Sequence, residues 1–424
     1  MSLTSMQRRG LALFFFMPRL CMASWVTRPP AIRDRLHAST AEMGMVLFGL
    51  SLGSMGGILS SGWLTRRLGT RPVIITGMAM VTAAMLVIAC GAAVSQSTLV
   101  AAGLFFIGVG MGSAEVAINI EGATVERLLD RPMMSMLHGC YSLGTLAGAA
   151  IGIGLTAMNF PIQWHLLLIA GIALPAVPWG LRSIPAGTGK AQATVEGHRR
   201  SGSMLRVMKN RQLLMIGVIV LAMALAEGSA SDWLPLLMVD GHGFNATSGS
   251  LIYAGFALAM TAGRFGGGMF QVRFGRLNVV RGSALLGAPG LALIIFADNA
   301  LVAGGAVVLW GLGASLGFPL TISAAGDSEH FAAERVSIVA TLGYVAFLVG
   351  PCRFRSCPIT DSGRPISDSD SVRSLIFCSA ILWRLLASGG MAWHVKRRTR
   401  EQKCASISIY YALNLSSVAR IAPS

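Results

Sequence analysis

The chain alternates long apolar runs with short polar loops. Each of eleven apolar windows approaches the roughly 20 residues that a helix needs to cross a bilayer. The windows are residues 11–27, 42–64, 73–94, 98–120, 136–158, 163–182, 212–234, 248–270, 278–297, 300–323 and 335–351. A twelfth window, residues 374–393, is weaker because Arg384 lies in its middle. The pattern predicts an all-α polytopic membrane protein with twelve nominal helices, the last one or two of them aberrant.

Composition supports the same fold class. Of the 424 residues, 54% are hydrophobic and only 12% are charged, whereas soluble domains carry about 25% charged residues. So few polar side chains cannot cover a soluble globule of this size, and we expect the chain to lie in a lipid bilayer. The net charge of +16 is divided among the loops. The basic residues are not gathered on one soluble face, so nucleic acid is not expected as a partner.

The distribution of basic residues predicts the orientation in the membrane. Positive charge gathers in every second loop, and under the positive-inside rule these loops are cytoplasmic. They hold Arg8 and Arg9; Arg66, Arg67 and Arg71; Arg127 and Arg131; the segment 182–211; and Arg273, Arg276 and Arg281. The N-terminus is therefore expected inside. Arg28, Arg33 and Arg35 are an exception, because they follow the first predicted helix on the outer side.

An internal repeat divides the chain into two halves. A shift of 206 residues places Gly62 on Gly268 and Gly69 on Gly275. Two parallel six-helix halves are typical of one large transporter class, whose substrate sites lie near the midplane where the halves meet. The predicted units are an N-terminal six-helix bundle at 1–182, a cytoplasmic linker at 183–211, a C-terminal bundle of helices 7–11 at 212–351 and an aberrant tail at 352–424.

The two copies of the repeat each contain a glycine-framed basic turn, GWLTRRLGTR and GMFQVRFGRL. Both resemble the signature loop of the major facilitator superfamily. The residues that carry the resemblance, and that it implies form the gating loops, are Gly62, Arg66, Gly69 and Arg71 in the first copy and Gly268, Arg273, Gly275 and Arg276 in the second. The alternative for the arginines is simple anchoring at phosphate headgroups.

Longer strings narrow the resemblance. ASWVTRPPAIRD, GSAEVAINIEGA, HGCYSLGTLAG and AEGSASDWLPLLMVDGHGF are similar to the YbjJ-type bacterial inner-membrane proteins, close to the MosC-like branch. The similarity runs from about residue 10 to Pro351. It implies the major facilitator fold, two pseudo-symmetric six-helix bundles and a multi-pass protein of the bacterial inner membrane, which we expect to be a monomer.

One departure from the family lies in the gating loops. Neither copy contains the acidic residue that the superfamily places there. In the superfamily that carboxylate faces a helix N-terminus and helps to hold the cytoplasmic side shut, which suits the positive end of a helix dipole. The resemblance therefore implies a weaker lock in this chain.

Ionisable residues inside the predicted spans are the candidates for chemistry, because each costs about 2.5–3.5 kcal/mol at a helix centre. The candidates are Arg19, Glu115, Glu227 and Arg264, the neighbouring Asn119 and Asp232, and two aromatic residues suited to stacking on a ligand or to packing, Trp25 and Tyr141. Glu115 and Asn119 share one helix face. Two interpretations stay open: buried ion pairs that stabilise the fold, or Glu227 as a proton-coupling carboxylate.

The sequence favours a secondary transporter of a small solute, coupled to protons and working by alternating access between its halves. An enzyme is not expected, since none of the common catalytic motifs is present. The stretch AGTGKA lacks the leading glycine and the final hydroxyl of a phosphate-binding loop, so ATP is excluded as the energy source. No cofactor and no metal site are expected. A sensor that binds its ligand without transport is the alternative.

The tail after Pro351 differs in composition from the rest. It holds 11 of the 34 basic residues, 4 of the 18 acidic residues and four of the seven cysteines. A frameshift that leaves an inactive transporter accounts for this change, and a divergent tail is the alternative. Translating the other reading frames of the gene tests the two. A frameshift predicts an apolar stretch of about 40 residues downstream of Pro351, and polar or interrupted frames would contradict it.

Overall fold

The computed structural model describes residues 3–190, 210–244, 246–297, 299–327 and 331–349. Within these ranges the chain forms helices and no strand. The helices are α1 (Leu3–Val26), α2 (Pro29–Leu36), α3 (Thr40–Leu68), α4 (Thr70–Ala93), α5 (Ser97–Leu129), α6 (Met134–Ala157), α7 (Ile162–Ala173), α8 (Ala176–Ser183), α9 (Arg211–Leu236), α10 (Ala246–Phe296), α11 (Ala300–Ala314), α12 (Gly317–Ala325) and α13 (Ala332–Val349). A π-helical turn, Leu237–Gly241, extends α9.

All eleven strong apolar windows are largely helical where the structure describes them. Eight helices of the described residues are long and apolar enough to cross a membrane, the kinked α10 counting once. Several helices run past their windows: α5 continues to Leu129, although its window ends at residue 120. Backbone hydrogen bonding continues where charged side chains lower the hydropathy, so the windows mark the apolar core and not the helix end. The weak window at 374–393 lies outside the described residues.

The two glycine-framed turns have the same backbone conformation. Gly69 ends α3 at φ 92°, ψ 168°, and Gly275 bends α10 at φ 77°, ψ 152°. Side chains other than glycine rarely adopt such positive φ values, which explains the glycine at both positions. The bend at Gly275 separates the predicted helices 248–270 and 278–297 within one continuous helical run. Equivalent geometry 206 residues apart supports the repeat.

Small residues let the helices of the first half approach closely. A Cβ atom at Gly49 in α3 would lie 2.7 Å from the carbonyl oxygen of Ala101 in α5. In α6, Gly144 and Gly148 lie against the carbonyl oxygens of Phe16 and Leu20 in α1. Both contacts require the absence of a side chain, as in other closely packed membrane helices.

The two halves meet along a continuous apolar core. Phe318, Ile322, Val336 and Val339 of the second half belong to the same buried cluster as the core of the first half. A separate cluster around Trp310 fills the second half. We call the side of the molecule that carries the loops at Gly69, Asp130 and Gly275 the basic face, and the opposite side the far face.

The halves contact each other at several places on the basic face. A Cβ atom at Gly62 would lie 2.6 Å from Ser337 Oγ, and one at Gly268 would lie 3.5 Å from the carbonyl oxygen of Pro132. Each glycine of the repeated turn therefore approaches the opposite half at an equivalent place. A Cβ atom at Gly139 of α6 would lie 3.1 Å from the Phe265 ring of α10. In the described part of the chain, the halves are thus closed at the basic face.

Candidate functional site

Two ion pairs lie at mid-depth in the helical bundle. Arg19 of α1 pairs with Glu115 of α5. Arg264 of α10 donates from Nη2 to both carboxylate oxygens of Glu227 in α9, each at 2.9 Å. The Arg264 side chain is only 2% exposed. Each pair joins two helices of one half, so the four charges cancel within their own halves.

Arg264 also reaches across to the first half. Its Nη1 donates to the hydroxyl of Ser142 in α6 at 2.5 Å, and its Nε donates to the carbonyl oxygen of Ser315 at 3.3 Å. The ring of Tyr141 lies between the two pairs, 4.0 Å from the Arg19 guanidinium and 5.9 Å from that of Arg264. A guanidinium over an aromatic face is attracted to it, more strongly when water is excluded. Tyr141 therefore connects the two charged pairs.

Asn119 forms a second link between the halves. Its Nδ2 donates to the carbonyl oxygen of Glu115 at 2.8 Å and to the hydroxyl of Tyr344 in α13 at 2.9 Å. Its Oδ1 lies 3.1 Å from Nε2 of His138. Since Asn119 Oδ1 can only accept, His138 Nε2 carries the proton that joins them. All of the polar atoms of Asn119 are thus engaged, and its orientation is fixed.

His138 was not among the candidates from the sequence. It is 3% exposed and surrounded by rings, with centroids at 5.1 Å for Phe15, 5.2 Å for Phe318 and 5.9 Å for Tyr141. It therefore belongs to the same cluster as the predicted residues. The available signal was its position at the start of an apolar window, inside one of the family-like strings.

A small cavity opens onto this cluster from between the halves. It is lined by Phe14, Phe15, Pro18, Arg19, Met111, Ala114, Glu115, Ile118, Asn119, Tyr141 and Tyr344. Its volume is about 10 Å³, which leaves room for about one water molecule. The lining combines one ion pair, two hydroxyl groups and one amide with aromatic walls. Such walls with a few fixed polar groups are typical of sites for small molecules.

The structure brings together most of the residues predicted from the sequence. Arg19, Glu115, Asn119, Glu227, Arg264 and Tyr141 lie in the cluster just described. Trp25 does not: it is 1% exposed and packs in the core of the first half. Asp232 lies within α9, but its side chain is outside the part of the structure that is described.

A second polar cluster joins the halves at the basic face. Glu126, near the end of α5, accepts hydrogen bonds at 2.7 Å from the backbone N–H groups of Met133 and Met134, where α6 begins. Its other oxygen accepts from the hydroxyl of Ser323 in α12 and lies 3.9 Å from Arg276. A carboxylate at a helix N-terminus suits the positive end of its dipole.

Arg276 of the second gating loop completes that cluster. It donates to both oxygens of Asp327 at 2.5 and 3.2 Å and to Ser323 Oγ at 2.8 Å. By contrast, Arg273 is exposed and lies 5.5 Å from the neighbouring Phe274 ring. The two arginines of this loop therefore differ in their reach toward the first half.

Comparison with known proteins identifies the family. The family model of the Major Facilitator Superfamily matches residues 11–351. The chain is 31% identical over 350 residues to the uncharacterized transporter y4wD of Sinorhizobium fredii, covering 81% of this chain and 89% of that protein. It is 26% identical over 385 residues to the membrane protein MosC of Rhizobium meliloti, covering 90% and 91%.

The fold agrees with solved structures of this family. The fucose:proton symporter FucP of E. coli superposes with a TM-score of 0.73 at 17% identity, covering 89% of this chain and 98% of that one. FucP in the outward conformation gives 0.77 at 17% identity, covering 91% and 99%. Repeated halves that meet around buried charges, and relatives aligned over most of their length, lead to one conclusion: this chain belongs to the Major Facilitator Superfamily of membrane transporters.

Proposed function

We propose that the chain is a proton-coupled secondary transporter that moves a small polar solute by alternating access between its two halves. The observation that carries the proposal is the presence of two ion pairs, the partly buried Arg19–Glu115 and the buried Arg264–Glu227, linked by Tyr141 where the halves meet. A membrane-embedded transporter of this family is not an enzyme, so these charges serve binding and coupling, not a reaction.

The first pair is the better placed for recognition of the solute. Arg19 and Glu115 both line the cavity, together with Asn119 and the hydroxyls of Tyr141 and Tyr344. A fixed guanidinium, carboxylate and amide offer donors and acceptors at set positions, which suits a solute with several hydroxyl or amide groups. Two structural neighbours are a fucose:proton symporter and a proton:xylose symporter. We propose a small polar solute with several hydroxyl or amide groups for this chain.

The second pair is the better placed for coupling. Arg264 is held by Glu227 in its own half and by Ser142 in the other half, so the charge of Glu227 bears directly on a contact between the halves. Protonation of Glu227 removes the ion pair. The other described hydrogen-bond partners of the buried Arg264 guanidinium, Ser142 and Ser315, are neutral. The resulting charge favours a rearrangement around Arg264, which links proton binding to the change of state.

Uptake into vesicles tests the proposed function as a whole. Purified protein is first screened against sugars, polyols and amino acids for a rise in its unfolding temperature. The best ligand is then followed into proteoliposomes under an imposed pH gradient. We expect accumulation that stops when the gradient is dissipated. Specific binding without flux would instead favour a sensor.

The basic face is proposed to be cytoplasmic, with the N-terminus on the same side in the bacterial inner membrane. Lys190, after α8, is exposed on this face and tests the orientation. In a chain without native cysteines, Lys190→Cys should resist a membrane-impermeant maleimide in intact cells and react after lysis. Labelling in intact cells would reverse the orientation. The cysteine-free parent chain is the control for background labelling.

The cluster of Glu126, Ser323, Arg276 and Asp327 is proposed to hold the cytoplasmic side shut in place of the missing acid of the gating loop. The variant Arg276→Ala removes its cation. Because Arg276 is partly exposed, the loss is about 1 kcal/mol, or roughly a five-fold shift toward the open state.

Thiol accessibility measures that shift. Ser135 is buried between the halves beside Gly267, so Ser135→Cys reports opening at the basic face. We expect its labelling rate to rise several-fold in Arg276→Ala. The matched control is Arg273→Ala, in the same loop, which should label as slowly as the parent. Equal rates in all three chains would assign the closure to apolar packing alone.

A further inference from the structure

A buried cationic couple lies near the far face, away from the central cluster. Arg28 follows α1 and is 2% exposed, and His165 in the first turn of α7 is 0% exposed. Arg28 Nε donates to Nδ1 of His165 at 2.8 Å. Arg28 is one of the three arginines that break the positive-inside pattern of the loops. Neither residue has a role in the transport mechanism proposed above.

The hydrogen bond between the two side chains fixes the protonation of the ring. Arginine has no acceptor atoms and keeps its protons at any accessible pH. Nδ1 of His165 therefore accepts, and the proton of the neutral ring lies on Nε2. His165 thus offers an N–H donor on its other side.

Two donors of this couple are buried without an acceptor. Arg28 Nη2 and His165 Nε2 have no hydrogen-bond partner among the described residues. A buried donor left unpaired costs about 1–3 kcal/mol, and more when it is charged. The unpaired, charged Arg28 Nη2 in particular indicates that an acceptor is bound there in the working protein.

The missing acceptor must also carry negative charge. Among the described residues no carboxylate forms an ion pair with Arg28, and the nearby Asp34 pairs with Arg33. Burial lowers the pKa of Arg28, with no opposite charge to offset it. A water would satisfy the donors and leave the charge uncompensated, whereas buried charges in proteins are normally paired.

We infer that the Arg28–His165 couple binds a compact anionic group at the far ends of α1 and α7. Nη2 of Arg28 is its donor, and Nδ1 of His165 holds the guanidinium in place by accepting from Arg28 Nε. A small anion from solution, such as a halide, and the phosphate of a lipid headgroup share this chemistry. The site is separate from the cavity between the halves.

Thermal unfolding of the full chain in a phosphate-free maltoside detergent tests the inference. Sodium gluconate, whose anion is too bulky for a covered site, is exchanged for sodium chloride at constant ionic strength. In a second arm, phosphatidylglycerol is added in gluconate. A ligand of the folded state raises the unfolding midpoint, here by about 2–4 °C at saturation. Stabilisation in the first arm identifies a free anion, and stabilisation in the second arm alone identifies a lipid phosphate.

Matched variants assign the effect to the couple. Arg28→Gln should abolish the stabilisation, and His165→Ala should weaken it by removing the support of the guanidinium. Arg33→Gln, an exposed arginine of the same segment, should keep it. Absence of stabilisation in both arms, or equal stabilisation in Arg28→Gln, would overturn the inference.

A direct measurement keeps the inference testable if Arg28→Gln does not fold. Crystals of the unaltered chain soaked in bromide should show an anomalous peak within hydrogen-bond distance of Arg28 Nη2, or the headgroup density of a bound lipid. Ordinary water density at Arg28 Nη2 would overturn the inference.

Discussion

Replacing Glu227 with glutamine is expected to abolish solute accumulation driven by a pH gradient, while solute binding and exchange between loaded vesicles stay partly intact. Glutamine keeps the size of the side chain and one acceptor for Arg264, and it removes the titratable carboxylate. The transport cycle then has no group at this position to carry a proton, although the cavity lined by Arg19 and Glu115 is unchanged. The measurement is uptake into proteoliposomes with and without a gradient, beside counterflow in the same preparation.

The matched variant is Glu115→Gln, which changes the carboxylate of the other ion pair. Because Glu115 lines the cavity, its loss should weaken solute binding and reduce counterflow and gradient-driven uptake together. The two variants thus separate recognition from coupling. Unchanged accumulation in Glu227→Gln would rule out its role, and a selective loss of accumulation in Glu115→Gln would transfer the coupling to the first half.

Much of the fold follows from the sequence because the bilayer imposes a simple rule. Backbone groups in the apolar core must bond within their own segment, so each long apolar window becomes a helix. The internal repeat predicted two halves. The structure supports the repeat, since Gly69 and Gly275 have nearly the same backbone dihedral angles. The division of the chain into four units stays a prediction, and the tail from residue 352 lies outside the described residues.

The breaks within predicted helices were harder to see. The window 163–182 divides into α7 and α8 near Pro175, and the window 300–323 divides into α11 and α12 near Ser315. Hydropathy gives no sign of such a break, because it records burial and not hydrogen bonding. At the first break Pro175 was the available signal, since proline interrupts a helix. At the second break the carbonyl oxygen of Ser315 accepts from Arg264, so the interruption lies against the central cluster.

The candidate site was predictable in its members and not in its pairings. Charged residues inside apolar windows are costly enough to be noticed singly, which selected Arg19, Glu115, Glu227 and Arg264. Which carboxylate faces which arginine depends on contacts 96 residues apart in the first half and 37 residues apart in the second. A search for charged residues does not select His138, and its hydrogen bond to Asn119 depends on the packing of α5 against α6.

The interpretation of the second charged pair as a structural element also stays open, and it predicts a large effect on stability. Replacing Arg264 with methionine leaves the buried Glu227 carboxylate without its guanidinium and removes the bond to Ser142. Breaking a buried ion pair from one side costs about 3–5 kcal/mol, because the remaining charge is no longer compensated. We expect a loss of this size in the free energy of unfolding, measured with denaturant in mixed micelles.

The double variant Arg264→Met with Glu227→Gln distinguishes lost pairing from lost packing. It removes both charges and retains most of the side-chain volume, and replacing a whole buried pair is often nearly neutral. It should therefore recover most of the stability that Arg264→Met loses. The exposed pair provides the control: Arg33→Met, beside Asp34, should change stability by less than about 0.5 kcal/mol. A double variant as unstable as Arg264→Met would show that the contacts of Arg264 with Ser142 and Ser315, and not its charge pairing, stabilise the region where the halves meet.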